Sequence, residues 1–219
     1  MAYRETEKMR QRKAQARQKI IECTWQCVAE GGFRSARITR IAGLAGVATG
    51  TIYRYFESRE DLFAEIFRLA TQREVDKVAE ALAAPGTAVE RLDTALRRFA
   101  ERALKGPMKA WALIAEPVDP KVEEERLIYR KAYADLFEQA IRDGIAEGSI
   151  PAQNARFSGT CLVGAISESL VGPLSPTQAA STAKARMAEP PPEASQQQRD
   201  ELINTIVRFC IRGLTGSRS

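Results

Sequence analysis

Apolar residues recur at the spacing of an α-helix through almost the whole chain. The sequence contains no convincing alternating strand pattern. Side chains repeat about every 3.6 residues in a helix and every two in a strand, so the pattern predicts an all-α protein. Glycine and proline divide the chain into predicted helices at residues 10–29, 38–45, 49–56, 59–83, 88–105, 108–116, 121–147, 152–170 and 199–214.

Local signals mark several of the predicted helix ends. The pair Gly31-Gly32 is typical of a helix C-terminus, and Ser58 is a good N-cap. Thr87 and Glu90 have the spacing of a capping box. Residues 175–198 are rich in Pro, Ala, Ser and Gln and have almost no large apolar side chain, so we predict a mobile loop there.

Positive charge is concentrated at the N-terminus. The chain carries a net charge of +5, whereas residues 1–60 alone hold twelve bases and six acids, a net charge of +6. The remaining residues therefore carry a net charge of −1. A basic segment joined to a nearly neutral body predicts a head that faces a polyanion.

Several classes of protein lack support in the sequence. The chain has no histidine, and its four cysteines form no CxxC pair, so we expect reduced, buried thiols and no metal site or cofactor. It has no glycine-rich phosphate loop and no G-x-S-x-G motif, so we do not expect an enzyme. No uninterrupted apolar run of membrane-spanning length and no secretion signal are present, which predicts a cytoplasmic protein that does not enter the membrane.

Two short predicted helices joined by Gly46-Val47-Ala48 form a helix-turn-helix pattern. The second helix of such a motif lies in the DNA major groove and must expose side chains that reach phosphates or base edges. Small residues at its N-terminus allow backbone N–H groups to approach a phosphate, and tyrosine and arginine follow. Ile52 and Phe56, four residues apart, are predicted to anchor the helix inward. The pattern therefore predicts contact with duplex DNA.

The segment ITRIAGLAGVATGTIYRYFESREDLF, residues 38–63, resembles the DNA-binding heads of tetracycline-repressor-like (TetR family) regulators, and the resemblance extends over about residues 20–67. It implies a three-helix head at residues 1–57 and a larger helical-bundle domain for ligand binding and dimerisation at residues 58–219. The DNA-binding residues are predicted to be Arg37, Thr39, Thr49, Gly50, Thr51, Tyr53, Arg54, Tyr55 and Arg59.

Two positions depart from the family pattern. The residue before the second helix, usually Thr or Ser, is Arg37, so we expect Ser35 or a water to cap that helix and Arg37 to bind the phosphate. The usual Ser at the start of the third helix is Ala48, which leaves Thr49 as the expected cap.

The resemblance also implies functions for the body. A homodimer is expected through helices 152–170 and 199–214, with Gly159, Gly164, Ala165 and Ser167 allowing close approach and Ile203, Ile206, Val207 and Cys210 supplying apolar area. The middle helices are expected to bind a small apolar or aromatic effector, such as a lipid or an acyl-CoA, with Glu168 as a buried polar anchor. The predicted ligand-binding residues are Trp111, Leu113, Tyr129, Tyr133, Phe137, Phe157 and Glu168.

These features together predict a ligand-responsive transcriptional regulator, a dimeric repressor that binds a palindromic operator and is released by its effector. A constitutive or architectural DNA-binding protein without an effector would use the same head. For each pocket residue taken alone, a place in the ordinary core is the competing interpretation.

Overall fold

The computed structural model describes residues 7–176 and 192–216, and the regular structure in these ranges is helical. The helices are α1 (Glu7–Ser35), α2 (Ile38–Ala45), α3 (Thr49–Ile52), α4 (Arg59–Leu82), α5 (Ala88–Lys105), α6 (Pro107–Ile114), α7 (Pro120–Glu147), α8 (Ala155–Leu174) and α9 (Pro192–Thr215). The prediction of an all-α fold is confirmed.

Several predicted helix ends are confirmed by their hydrogen bonds. The Ser58 hydroxyl accepts from the backbone N–H of Asp61 at 3.1 Å and caps α4. Thr87 and Glu90 form both halves of the capping box at the start of α5. Gly46 ends α2 with φ of 70°, in the left-handed region that glycine occupies without strain.

Other ends differ from the sequence-based prediction. Helix α1 continues past Ala29, but Gly31 and Gly32 inside it have non-helical backbone angles and divide it at the predicted place. Helix α3 has four residues instead of eight, because Arg54 and Tyr55 donate to carbonyls three residues back and the chain continues as a tighter turn.

The prediction of a mobile loop at residues 175–198 was wrong in part. Residues 177–191 lie outside the described residues. Helix α9 begins at Pro192, so residues 192–198 are helical. The segment 192–199 opens with a proline, which suits a first helical turn, and continues with Glu, Ala and Gln, which favour helix over coil.

The buried side chains form two clusters, which we call the head core and the body core. The head core joins α1, α2 and α3 to the first half of α4, and it also includes Ala112 of α6 and Val122 of α7. The body core joins the second half of α4 to helices α5, α7, α8 and α9. Helix α4 therefore belongs to both cores, and a movement of α4 would displace buried side chains in both of them. The domain boundary at residue 57 remains a prediction.

Helices α7 and α8 pack closely in the body. A Cβ atom added at Gly159 of α8 would lie 2.9 Å from the carbonyl oxygen of Ala134, so only glycine permits this approach. Ile203, Ile206, Val207 and Cys210 of α9 are also buried within the chain. The prediction that these four side chains supply area to a second subunit was wrong, because α9 turns them towards α5 and α8 of its own chain.

Candidate DNA-binding face and effector cavity

The helix-turn-helix exposes most of the side chains predicted to meet DNA, whereas Thr51 and Tyr55 are half-buried and Tyr55 packs against the head core. Ile52 is fully buried and Phe56 is 5% exposed, so the predicted inward anchors of α3 are confirmed. Between them, Tyr53 is 48% exposed and Arg54 is also exposed. Thr49 and Gly50 lie in the open at the start of α3, and no atom lies within 4 Å of a Cβ built at Gly50.

The caps of α2 and α3 differ from expectation. Arg37 occupies the N-cap position of α2 and Ala48 that of α3, and neither helix receives a capping hydrogen bond from a side chain. Thr49 is the first residue of α3 and does not cap it, and Ser35 does not cap α2. In α3 the N–H of Thr51 donates to the carbonyl of Ala48 at 2.8 Å. The other N–H groups at the two helix starts are available to an external acceptor such as a phosphate oxygen.

The cations of the head fall into two groups. Arg17 pairs with Glu65, and Arg40 pairs with Glu30, where hydrogen bonds from Gln26 and Arg40 lower the pKa of the Glu30 carboxyl. A second group has no ion pair within the described ranges. It includes Arg37, Arg54 and Arg59 at the helix-turn-helix, as well as Arg12, Lys19 and Arg34. Arg59 instead stacks on the ring of Phe63 at 4.7 Å. Arg37, Arg54 and Arg59 were all predicted DNA-binding residues, and they keep their charge available for phosphates.

An apolar cavity of about 160 Å³ lies between α4, α5, α6, α7 and α8. Most of its wall is aromatic or aliphatic, and Trp25 of the head core reaches it from α1. The aromatic rings on its wall are those of Trp25, Phe67, Phe99, Tyr129, Tyr133 and Phe137. Phe99 and Tyr133 pack edge to face with centroids 5.9 Å apart, and burial raises the pKa of Tyr133 well above its usual range.

A polar group on α4 and α5 interrupts the apolar wall. Arg102 donates from Nε to Glu74 at 2.7 Å, and Lys77 donates to the other Glu74 oxygen at 2.7 Å. Burial opposes ionisation of Glu74, but the two hydrogen bonds outweigh it and lower its pKa. Thr71, 6% exposed, lies beside this group and its hydroxyl has no hydrogen-bond partner within the structure.

The cavity and the head meet at a buried junction made by Arg126 and Glu116. Arg126 lines the cavity and donates to the carbonyl oxygens of Leu113 at 3.2 Å and Glu116 at 2.8 Å. Burial lowers the pKa of Arg126, and the nearby Glu123 carboxylate offsets part of this effect. The carboxylate of Glu116 in turn accepts from the backbone N–H groups of Phe33 and Arg34, just before α2. One continuous set of hydrogen bonds therefore joins the cavity wall to the base of the helix-turn-helix.

A family model described as "Bacterial regulatory proteins, tetR family" matches residues 20–66, which contain the helix-turn-helix and the start of α4. The chain belongs to the tetR family. It is a DNA-binding transcriptional regulator, and like other tetR-family proteins it is not an enzyme.

Characterised tetR-family relatives resemble the chain beyond its head. The "Fatty acid metabolism regulator protein" of Bacillus subtilis (strain 168) is 26% identical over 154 residues, which cover 69% of this chain and 79% of that protein. The "HTH-type transcriptional repressor KstR" of Mycolicibacterium smegmatis is 27% identical over 130 residues, 58% of this chain and 64% of that protein. The crystal structure of the regulator FadR from Bacillus subtilis, in complex with stearoyl-CoA, has a TM-score of 0.67 and 20% identity, and covers 90% of this chain and 98% of that one.

The structure gathers only some of the predicted ligand-binding residues of this tetR-family chain. Leu113, Tyr129, Tyr133 and Phe137 line the cavity, and Trp111 does not. Phe157 is 67% exposed on the outside of α8. The expectation that Glu168 is buried was wrong, because it lies on the exposed side of α8, where water solvates its charge.

Sequence reasoning missed the cavity residues contributed by α1, α4 and α5. Phe67, Ala70, Thr71 and Glu74 follow the i, i+3, i+4, i+7 spacing of one helix face, which marks them as neighbours. The spacing was visible in the sequence, but it does not reveal that this face borders a cavity. The junction residues Glu116 and Arg126 carried no local signal.

Helices α8 and α9 leave an apolar face uncovered. Along α8 the exposed positions include Phe157, Cys161 and Gly164, and along α9 they include Phe209, which is 70% exposed, and Gly213. The expectation that all four thiols are buried was therefore wrong for Cys161. By length and composition α8 is the one helix of the described ranges apolar enough to span a membrane, and 33% of that window is buried in the chain.

A polar groove runs along α7 and α8 beside the cavity. It shares Arg130, Val163 and Ser167 with the cavity wall, so the two are contiguous. Its lining also carries Arg156, Lys131 and the carboxylates of Asp135, Glu138 and Glu168. Asp135 pairs with Lys131 and Glu138 with Arg142, whereas within the part of the chain that the structure describes neither Arg130 nor Arg156 is in an ion pair.

Proposed function

We propose that the protein is a homodimeric repressor that releases its operator when a coenzyme A thioester binds the cavity. The observation that carries this proposal is the position of Arg126. The Arg126 guanidinium borders the cavity and donates a hydrogen bond to the backbone carbonyl of Glu116. The side-chain carboxylate of Glu116 in turn accepts from the backbone N–H of Phe33 in the head. A ligand that contacts Arg126 is thus linked to the base of the DNA-binding motif through Arg126 and Glu116 alone.

The head supports binding through α3 and its flanks. Tyr53 and Arg54 project from the turn that directly follows α3, and Arg37 and Arg59 flank the motif. The starts of α2 and α3 offer N–H groups that no side chain caps. A short helix contacts few base pairs, so useful affinity needs two heads on half-sites roughly 34–36 Å apart. We assign Tyr53 and Arg54 to base edges and the other exposed residues of the predicted set to phosphates.

The second copy is proposed to cover the exposed apolar face of α8 and α9. Phe157 and Phe209 supply exposed aromatic area there, and Gly164 and Gly213 have no atom within 4 Å of a built Cβ. An apolar face of this kind is costly to leave in water. Two copies of the pair would form a four-helix interface, as the family resemblance implies.

The effector class follows from the cavity and the groove together. The cavity is suited to an apolar group, and the groove that continues from it offers Arg130 and Arg156 to phosphates. The FadR structure from Bacillus subtilis was solved with stearoyl-CoA, a ligand with one apolar and one phosphorylated end. A thioester with its acyl group in the cavity and its phosphates along the groove matches both features.

Release is proposed to follow from a change in α4 and in the Glu116 junction. Phe67 and Thr71 of α4 line the cavity, and the same helix carries part of the head core. The two heads bind one operator together, so a small change in their separation removes much of the affinity. The ligand drives this change only by binding the released form more tightly than the DNA-bound form. The site of action is the cytoplasm, where a bacterial operator lies.

A binding titration tests the proposal. A palindromic duplex is first selected from a random pool with the purified protein, labelled, and titrated by fluorescence anisotropy with and without coenzyme A thioesters of several acyl lengths. The proposal expects tight, salt-sensitive binding that at least one thioester weakens tenfold or more. Tight binding that no thioester alters would favour the constitutive DNA-binding protein instead.

A further inference from the structure

The cavity has a size and a polar wall that the proposed function leaves unexplained. A cavity of about 150 Å³ in a protein core holds one benzene molecule, and the cavity here measures about 160 Å³. A stearoyl chain has about three times as many carbon atoms as benzene and exceeds this volume. The cavity therefore suits a compact acyl group, of the size of one ring.

The wall of the cavity suits a flat group. Six aromatic side chains line it, and Phe67 and Tyr129 pack with centroids 6.3 Å apart while Phe99 and Tyr133 pack at 5.9 Å. A planar ring completes such a cluster through offset or edge-to-face contacts, which a flexible chain cannot do.

Two residues of this apolar wall carry unsatisfied polar atoms. Within the described ranges, three buried side-chain nitrogen or oxygen atoms lack a hydrogen-bond partner, and two of them, Thr71 Oγ1 and Arg102 Nη2, belong to residues that line the cavity. Thr71 is 6% exposed and could have bonded a carbonyl of its own helix, as Thr24 does with Ile20. Buried polar groups without partners are rare, and here a ligand oxygen would satisfy both.

The Glu74 carboxylate favours a neutral oxygen beside Thr71, since the other cations of the lining, Lys109, Arg126 and Arg130, lie on α6 and α7. Arg102 is already paired with Glu74 at 2.7 Å, and Lys77 holds the other oxygen of Glu74 from outside. A ligand carboxylate placed beside Thr71 would face the Glu74 carboxylate in a site with little water. A hydroxyl or keto oxygen accepts from Arg102 and exchanges a hydrogen bond with Thr71 without adding charge.

We propose that the effector is a coenzyme A thioester whose acyl group is a single ring, or a group of that size, bearing a neutral oxygen held by Thr71 and Arg102. The inference rests on the proposed function for its thioester part. The thioester lies where the cavity meets the groove, at Arg130, Val163 and Ser167 of α7 and α8. The oxygen on the ring lies at the wall made by α4 and α5.

Calorimetric titration of the full-length protein tests this assignment with 4-hydroxybenzoyl-CoA, benzoyl-CoA, stearoyl-CoA and free phenol. We expect 4-hydroxybenzoyl-CoA to bind about tenfold more tightly than benzoyl-CoA, since one buried hydrogen bond separates them. Stearoyl-CoA is expected to bind more weakly than either. Thr71→Val keeps the shape of the side chain without its hydroxyl, and it should remove most of the difference between the two aromatic thioesters.

The outcomes separate the two proposals. Tightest binding by stearoyl-CoA, or a preference for the ring hydroxyl that survives Thr71→Val, overturns the assignment and leaves the thioester-responsive repressor intact. Binding of phenol that Thr71→Val abolishes, with no binding of any thioester, supports the ring and its oxygen and contradicts the thioester function. Failure of all four ligands to bind overturns both.

Discussion

The carboxylate of Glu116 accepts a hydrogen bond of 2.8 Å from the backbone N–H of Phe33, across 83 positions of sequence. Its second oxygen accepts from the N–H of Arg34 at 3.0 Å. These donors lie where α1 ends and the chain turns into α2, a place where N–H groups lack helical partners. A side chain of the body thus completes the backbone hydrogen bonding of the head.

Replacement of Glu116 by Ala should destabilise the protein by about 1–3 kcal/mol, because two N–H groups lose their acceptor in a buried site. Glu116→Gln keeps one acceptor oxygen, so its free energy of unfolding should lie between those of the wild-type protein and Glu116→Ala. Both are measured by urea unfolding. Glu124→Ala, at an exposed position of α7, is the control and should change stability by less than about 0.5 kcal/mol. Equal stability of Glu116→Ala and the control would contradict the proposed junction.

A methyl group at Gly32 should be harmful for two reasons. Gly32 has φ of 76°, and a Cβ there would lie 2.5 Å from a carboxylate oxygen of Glu116. Gly148 has a similar φ of 81° and no neighbour within 4 Å of its Cβ position. Gly148→Ala should therefore cost about 1–2 kcal/mol from backbone strain alone, and Gly32→Ala should cost more. Thermal or urea unfolding of the two variants measures the difference, and a Gly32→Ala variant no less stable than Gly148→Ala would count against the close approach of Glu116.

The sequence predicted those helix ends whose signals are local. Ser58 and the pair Thr87 and Glu90 act within one turn of chain, so their spacing suffices to place α4 and α5. The length of α3 was overestimated, because its last residues turn to bury Phe56 in the head core, and that burial is a tertiary effect.

The DNA-binding face was more accessible to sequence reasoning than the cavity. The exposed residues of α3 and of the turn after it are adjacent in sequence, and a turn that buries Ile52 and Phe56 exposes Tyr53 and Arg54 between them. The cavity combines side chains of six helices, and an apolar stripe looks the same whether it faces a core, a cavity or a second subunit. Phe157 was predicted to line the pocket and lies on the surface, whereas Ile203 was predicted to face a second subunit and lies in the body core.

Arg54→Ala should weaken binding to the selected operator by about 1–3 kcal/mol if the guanidinium reads a base edge. If Arg54 contacts a phosphate, the variant should instead reduce the slope of log affinity against log salt concentration by about one, because one counterion fewer is released on binding. Fluorescence anisotropy at several salt concentrations measures both quantities. Arg98→Ala, at an exposed position of α5, removes the same charge from the body and should leave both nearly unchanged. Wild-type affinity and salt slope in Arg54→Ala would count heavily against the assigned face.

Phe209→Glu should convert the dimer to a monomer, because it places a charge in the proposed apolar interface. Leu127→Glu is the matched control, since Leu127 is an apolar residue of α7 that is 58% exposed and does not belong to the proposed α8–α9 interface. Light scattering after size-exclusion chromatography gives the mass of each variant. A dimeric Phe209→Glu variant, or a monomeric Leu127→Glu variant, would move the interface elsewhere.

The most direct test of the account is the affinity of the wild-type protein for its selected palindromic duplex, measured by anisotropy as 4-hydroxybenzoyl-CoA is added. The account predicts binding that requires two protomers per duplex and that falls at least tenfold once the thioester saturates the cavity. An affinity that stays constant while calorimetry shows the thioester bound would contradict the proposed coupling between cavity and head.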